Sequence, residues 1–290
     1  MATIIRTDSP LTRNRAKMNQ VVASFWNKTS EAWYQIWGPH IHHGYYEDIQ
    51  NPIPPLQAQE LLIKKLVHEL EFNRSSKILD VGCGMGGSSF YLAQNYDATV
   101  NGISLSHKQI EIAKKIAIEK KLKNVSFSLE DALSLTSFMD NSFDIVWSLE
   151  SCEQFTNKDL FLEKAFNKLL PGGKLLLATW CSSEEEYHGA HAKQYIKLCR
   201  AFDLPYMPTM DHYQQLLSQQ GYIIQKRLDW TDKVKVSWNL GVSLVNAYSF
   251  LRILKLAGWR GFRFTKQLKL MQDAFNNNQI VYGVFVATKP

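Results

Sequence analysis

The residues best suited to chemistry lie in the run Ile78-Leu-Asp-Val-Gly-Cys-Gly-Met-Gly-Gly87. Apolar residues lead into a glycine turn, and a helical pattern starts near Ser88. Glycines in such a turn reach positive φ and let a ligand approach the backbone closely. The helix that follows offers free N–H groups to an anionic group. Two spacings coexist. Gly82, Gly84 and Gly87 satisfy the GxGxxG dinucleotide fingerprint, while Asp80, Gly82, Gly84 and Gly86 satisfy DxGxGxG, a loop for S-adenosylmethionine (SAM). A carboxylate inside the first strand would repel a pyrophosphate but could organise the loop around a cationic amino-acid ligand. The dinucleotide reading also wants an acid at the end of the second strand, and Val100-Asn-Gly-Ile-Ser-Leu-Ser106 has none.

Two further clusters carry titratable groups. Glu150 and Glu153 follow the apolar run Asp144–Ser148. That position is the carboxyl end of a strand, where α/β sheets place their chemistry. Methyl transfer from a sulfonium is an in-line displacement, so a protein mainly aligns the partners and excludes water. A base is needed only where the nucleophile must lose a proton; Glu153 is the expected base or cation stabiliser, with Glu150 beside it. The alternative for these carboxylates is a helix N-terminus, where a negative charge suits the dipole. His40, His42 and His43 form an HxHH cluster. No Asp, Glu or Cys ligand set accompanies them at metal spacing, so no metal is expected. Their expected role is to close an N-terminal lid with Trp37 and Tyr45.

The elements that position these groups can be read from periodicity. The chain has 290 residues, 45% hydrophobic and 21% charged, which excludes a disordered or fibrous chain. No run of 18 apolar residues occurs, so no membrane span is expected. Expected strands are Lys77–Val81, Ala98–Ile103, Val125–Leu129, Asp144–Ser148, Lys174–Trp180, Tyr222–Trp230 and Val281–Thr288. Helical patterns alternate with them, as in βαβ units with a parallel sheet. Ser106–Lys121 has Ser106 as N-cap and an apolar stripe of Ile110, Ala113, Ala117 and Ile118. Asp159–Leu170 is a helix stopped by Pro171-Gly172-Gly173. Residues 231–280 are too many for a plain loop and are expected to carry helices, including Leu240–Leu256.

The sequence resembles class I SAM-dependent methyltransferases, and more closely the γ-tocopherol methyltransferase-like group. The resemblance covers nearly the whole chain. It rests on Ile36-Trp-Gly-Pro-His-Ile-His-His-Gly-Tyr-Tyr46, the glycine loop, Gly102-Ile-Ser-Leu-Ser106, Ser142-Phe-Asp-Ile-Val-Trp-Ser-Leu-Glu-Ser-Cys-Glu153, Leu170-Pro-Gly-Gly-Lys-Leu and Thr179-Trp-Cys181. Asp229-Trp230, Trp238 and Gly258-Trp259 fit its C-terminal pattern. The resemblance implies a Rossmann-like α/β fold with a mostly parallel seven-stranded sheet and helices on both faces. Residues 1–54 would be an N-terminal helical lid and 55–180 the SAM-binding core. Residues 181–290 would supply the substrate-binding cap, with helices inserted between the last two strands.

The same resemblance assigns residues. Asp80 would hold the loop and the methionine amino group, with the backbones of Gly82, Cys83, Gly84 and Gly86 beneath the ligand. Gln109, five residues past Ser104 and following Leu105, would serve the ribose diol, since an amide both donates and accepts. The alternative for Gln109 is an exposed helix position. Asp131 would accept the adenine amino proton and the Ala132 N–H would meet a ring nitrogen; a helix cap or loop acid is the alternative. Ser148 and Leu149 would lie beside the methionine moiety. Acceptor binding would involve His43, Tyr45, Cys152, Gln154 and Trp180. The family's ESGEH reads here as Glu150-Ser-Cys-Glu-Gln154. Cys152 therefore replaces a glycine, and Gln154 a histidine that could accept a proton. These changes bear on the acceptor and leave methyl transfer intact.

Charge and aromatic content narrow the acceptor. The chain carries a net +6, and residues 231–270 hold eight lysines and arginines against Asp232 alone. This stretch is either a solvated helix face or a contact for an anionic surface: lipid headgroups at the membrane periphery, or a phosphorylated substrate. No zinc-finger, RRM-type or other nucleic-acid signature occurs, so nucleic acid is not an expected partner. Residues 180–264 hold 14 of the chain's aromatic residues, which points to a hydrophobic small-molecule acceptor, aromatic or prenylated. Two other readings stay open: C-methylation of a prenyl diphosphate, and SAM binding without catalysis. Cys83, Cys152, Cys181 and Cys199 form no CxxC pair and read as reduced thiols of a cytoplasmic protein. The first 20 residues lack the apolar core of a secretory signal, and their arginines leave an organelle transit segment as the alternative. No oligomeric state is legible from the sequence.

Overall fold

Strands that bury both faces need helices on both sides, and the computed structural model arranges the chain in that way. It describes residues 3–71, 74–247, 250–265 and 267–290. In chain order the elements are β1 (Ile4–Arg6), α1 (Arg15–Trp37), α2 (Pro55–Leu70), β2 (Lys77–Val81), α3 (Gly87–Tyr96), β3 (Thr99–Ser104), α4 (His107–Glu119), β4 (Val125–Leu129), β5 (Phe143–Leu149), α5 (Lys158–Lys168), β6 (Leu169–Ser182) and β7 (Glu186–His188). After them come α6 (Gly189–Ala201), α7 (Met210–Gln219), β8 (Ile223–Asp229), α8 (Thr231–Val234), α9 (Val236–Asn246), α10 (Phe250–Thr265), α11 (Leu268–Asn276) and β9 (Ile280–Thr288).

The main sheet runs β4-β3-β2-β5-β6-β9-β8. It is parallel except for β9, which pairs antiparallel with β6 and β8. Alternate residues of each strand serve opposite cores. Leu176 and Ala178 join Leu62, Ile63 and Leu66 of α2 on one side, while Leu175 and Leu177 join Phe161 and Leu162 of α5 on the other. Strand order reverses beside β2, whose neighbours are β3 and β5. Ligands of open α/β sheets bind at such a switch point, outside the carboxyl ends of the strands.

All seven expected strands form. Ser106 caps α4 through its side chain, which accepts from the Gln109 N–H. Three details differ. Helix α5 ends at Lys168, ahead of the Pro-Gly-Gly, because Pro171 bars helical geometry at the residue before it; Leu169 is already extended at ψ 140. The single helix expected over Leu240–Leu256 is divided into α9 and α10, its middle at 248–249 lying outside the described residues. Helix α10 also kinks at Gly258, where φ is 62. Third, β1 pairs with β7 in a separate two-stranded sheet; three-residue strands are too short to leave a sequence pattern.

Candidate active site

The glycine turn after β2 is held open by its neighbours. Gly82 N and Cys83 N both donate to the Ile103 carbonyl, at 3.0 and 2.9 Å. Gly82 sits at φ 80, and a Cβ there would lie 2.2 Å from that of Ser151. Ser151 follows β5 and its hydroxyl donates to the Val81 carbonyl at 2.6 Å. Only glycine fits this close crossing of two strand ends. Gly84, at φ 55, faces open space apart from the tip of Ile41 at 3.9 Å. A ligand can therefore lie directly against its backbone.

Asp80 lies at the base of this turn, 2% exposed. Ser89 Oγ donates to its carboxylate at 2.6 Å, and burial pushes the carboxyl up to about 7. A desolvated carboxylate whose partner is one hydroxyl is suited to a cationic ligand group, and the ammonium of an amino acid supplies one. Across the cavity Gln109 is 4% exposed. Its Oε1 accepts from Ser104 Oγ at 2.7 Å, so it is a cavity residue and not an exposed helix position. Asp131 completes this end. Its Oδ2 accepts from Arg15 Nε at 2.7 Å and Asn19 Nδ2 at 2.5 Å, and its Oδ1 from the Leu133 N–H at 2.9 Å. The carboxylate thus anchors α1 over the cavity. A buried acid, a glycine backbone cradle, an amide and a second acid fit the ammonium, carboxylate, ribose and adenine parts of SAM in that order.

The same cavity continues into a chamber walled by Trp180, Phe202 and Trp238. Glu150 and Glu153 stand where the two halves meet, and their carboxyls are shifted in opposite directions. Glu150 adopts a left-handed backbone, φ 50, a strained geometry typical of functional sites. Its Oε1 accepts from the His43 N–H at 2.9 Å and Tyr282 OH at 2.8 Å, and its Oε2 meets His43 Nδ1 at 2.7 Å. Burial alone would raise this carboxyl, but His43, by its charge when protonated and by its hydrogen bonds, brings it below its ordinary value. Glu153 has no such partner. Its Oε1 accepts from the Trp180 N–H at 2.8 Å, and burial, then the charge of Glu150, push it up to about 7. Beneath it the buried Lys158 Nζ donates to the Glu153 and Phe155 carbonyls at 3.1 and 2.8 Å, fixing the turn that carries Glu153.

The other two histidines are linked to each other and to the His43 backbone. The His43 carbonyl can only accept, so His42 donates from Nδ1 at 2.7 Å, and its Nε2 then accepts from His40 Nδ1 at 3.2 Å. Burial pushes His40 down to about 3. Gly87 makes room for this ring: a Cβ there would meet His40 Nδ1 at 2.6 Å.

Of the sequence-derived site residues, Asp80, Gly82, Cys83, Gly84, Ser104, Leu105, Gln109, Asp131, Leu149, Glu150, Glu153, Gln154, His43 and Trp180 line this one cavity. Five lie outside its wall. Gly86 caps α3 at φ 86. Ala132 joins the core on the α5 side of the sheet. Ser148 Oγ pairs with Ser151 Oγ at 3.0 Å. The Tyr45 ring packs on Trp230, with centroids 5.1 Å apart. Cys152 is fully buried on the α5 side, 3.7 Å from Tyr213 OH. Periodicity carries no signal for the contributions of α1: Arg15 and Asn19 on Asp131, and Trp26 Nε1, which donates to Gln154 Oε1 at 3.3 Å. Nor does it reveal Phe202 or the position of Trp238, which tertiary packing alone brings in.

Comparison with known proteins agrees with this geometry. The methyltransferase-domain family matches residues 72–231. A chloroplastic tocopherol O-methyltransferase of Arabidopsis thaliana is 31% identical over 285 residues, covering 93% of this chain and 82% of that protein. Among solved structures, the cyclopropane synthase MmaA2 from Mycobacterium tuberculosis superposes with a TM-score of 0.83 at 18% identity, covering 93% of this chain and 98% of that one. The [4+2]-cyclase SpnF superposes with a TM-score of 0.80 at 23% identity, covering 94% and 97%. These two similarities establish the fold, which hosts more than one chemistry.

Proposed function

The chain belongs to the SAM-dependent methyltransferases, and from that premise we propose that it methylates an apolar aromatic small molecule at a hydroxyl or amine. SAM, when bound, supplies an electrophilic methyl group on a positively charged sulfur. The protein's part is to hold that group and deliver an acceptor to it. Asp80 would take the ammonium, the Gly82–Gly84 backbone would lie under the methionine, Gln109 would reach the ribose, and Asp131 would face adenine. Residues 1–54 would act as the lid, 55–180 as the cofactor core and 181–290 as the acceptor cap.

The observation that carries the acceptor class is the wall of the cavity. It is aromatic at one end, and among the described residues no lysine or arginine lines it. A diphosphate brought into that chamber would face Glu150 and Glu153 with no counter-charge. This favours an uncharged aromatic acceptor over a prenyl diphosphate, and it leaves the exposed basic residues Arg252, Lys255 and Lys269 to a role outside the cavity. There Leu251, 73% exposed, lies beside Arg252 and Lys255 on α10, and Trp259, 64% exposed, follows the kink at Gly258. Such a face suits anionic headgroups and would let the protein collect an acceptor dissolved in a membrane. No described helix is long and apolar enough to cross one. All four cysteines are buried and unpaired, in keeping with a reducing compartment such as the cytoplasm.

The test is a turnover assay with SAM and either a hydroxychromanol such as γ-tocopherol or geranyl diphosphate, read as S-adenosylhomocysteine formed and as product mass. Methylation of the hydroxychromanol with none of the diphosphate is expected. The reverse result would overturn the acceptor class. S-adenosylhomocysteine binding without turnover of any aromatic alcohol or amine would reduce the protein to a SAM-binding one.

A further inference from the structure

His43 is held differently from the other histidines of its cluster. Glu150 grips it twice, at the backbone N–H and at Nδ1, with Tyr282 OH donating to the same carboxylate. Glu150 already accepts from the His43 N–H and Tyr282 OH, so the ring nitrogen facing it, Nδ1, carries a proton. In the neutral imidazole that leaves Nε2 as the acceptor, and Nε2 is buried with no hydrogen-bond partner. The ring is 4% exposed and is enclosed by Trp180, Trp238, Phe275 and Tyr282, with centroids 5.2–5.8 Å away. An unsatisfied buried nitrogen is costly. Here it belongs to a residue that lines the cavity, at the junction of the cofactor half and the aromatic chamber.

We propose that His43, oriented by Glu150, is the general base of the reaction, taking the acceptor's hydroxyl or amine proton on Nε2. The proposal rests on the methyltransferase reading above and adds the path of the proton. As methyl transfer proceeds, the acceptor's O–H or N–H bond breaks and its proton passes to Nε2. The heteroatom's electron pair forms the new bond to the methyl carbon, and the pair of the breaking carbon–sulfur bond stays on sulfur. Glu150 stabilises the imidazolium that results, and is a positioning residue. Glu153 is left a different task. With Oε1 accepting from Trp180 N–H, any proton it carries sits on Oε2, from which it can donate to the acceptor heteroatom. Trp238 comes from α9 of the cap and packs on the His43 ring, so the cap supplies one wall around that ring. The arrangement has the logic of a hydrolase His–Asp pair, in which the carboxylate fixes the tautomer and the imidazole moves the proton.

Two measurements test this. The first needs no acceptor. Nitrogen-15 NMR of histidine-labelled protein bound to S-adenosylhomocysteine should show His43 as the neutral Nδ1–H tautomer with a bare Nε2, and Glu150→Gln should shift that resonance. A His43 with its proton on Nε2, or on both nitrogens at neutral pH, overturns the proposal. The second is kinetic. His43→Gln is expected to lower kcat about 10²–10⁴-fold, with S-adenosylhomocysteine affinity by calorimetry kept within about twofold of wild type. Glu150→Gln should lower kcat with little change in KM. Glu153→Gln, which keeps a donor at that place, should lose less rate than His43→Gln. Wild-type kcat in His43→Gln, or a larger loss in Glu153→Gln than in His43→Gln, sinks the assignment in favour of Glu153 as base. If wild type methylates no aromatic acceptor, the acceptor reading fails by itself, and the tautomer measurement still decides the state of His43.

Discussion

The two ends of the cavity are built by different means. The cofactor end comes from the carboxyl ends of consecutive strands: Asp80 in β2 with Gly82, Cys83 and Gly84 after it, Ser104 ending β3 with Leu105 and Gln109 after it, and Asp131 after β4. The acceptor end is gathered from six places: His43 before α2, Glu150 and Glu153 after β5, Trp180 in β6, Phe202 after α6, Trp238 in α9 and Tyr282 in β9. Backbone geometry does the work at the first end, and side-chain surroundings at the second. The first should therefore fail through sterics and charge, and the second through rate and acceptor affinity. Changes at one end should leave the other readable.

The largest effect is expected from Gly82→Ala. The new Cβ would meet Ser151 Cβ at 2.2 Å from a residue at φ 80, an overpacking that costs about 3 kcal/mol. S-adenosylhomocysteine binding should be lost and the melting temperature should fall. Retained binding would show that the turn tolerates side chains and would break the contrast.

Next comes Asp80→Asn, which should weaken S-adenosylhomocysteine binding by about 1.5–3 kcal/mol, the scale of a charged hydrogen bond. Asp80 also gives a pH signature. Its carboxyl is raised from 3.8 to about 7 in the free protein, and an ammonium partner would lower it again. Binding should then release a proton below about pH 7, and affinity should climb with pH and level off above that. The same shift acts on folding with a fixed sign. Between the unfolded and folded values the folded state binds the extra proton, so this group's contribution to stability is greatest at low pH and declines up to about pH 7. Asp80→Asn should consequently gain stability relative to wild type as pH rises from about 4 to 8. Calorimetry in buffers of different ionisation enthalpy, and denaturant titrations at the two pH values, check the two halves.

At the other end, Trp238→Ala removes one wall of the aromatic chamber. It should raise KM for an aromatic acceptor about tenfold, in line with one or two lost ring contacts, and leave S-adenosylhomocysteine affinity unchanged. Equal losses in both would mean that the two ends are not separable.

The smallest effect is expected from Arg15→Ala. The Arg15–Asp131 pair has a partly exposed guanidinium, 37%, and such pairs contribute about 0–1 kcal/mol. The variant should change S-adenosylhomocysteine affinity less than about fivefold, whereas Asp131→Ala should lower it more than tenfold. If the two variants behave alike, Asp131 serves only to anchor α1.

This contrast also sorts what the sequence determined from what needed the folded chain. Alternating apolar runs determined the seven strands, because a buried strand must be apolar on its own account whatever packs against it. The spacing Asp80-x-Gly82-x-Gly84 determined the cofactor end, because a tight turn requires glycine at fixed offsets along the chain. Glu150 and Glu153 were legible as acids at a strand end, but the opposite shifts of their carboxyls were not: they are three residues apart, and it is His43 that lowers the first and burial that raises the second. Cys152, between them in sequence, turns to the opposite face of the sheet and packs under Tyr213, an orientation decided by the 3-10 turn Cys152–Gln154. A helical lid over residues 1–54 was expected from the resemblance, but the contacts that α1 makes, Asn19 on Asp131 and Trp26 on Gln154, came only from the fold. Local backbone requirements are written along the chain, whereas the field around a titratable group comes from whatever the fold brings beside it.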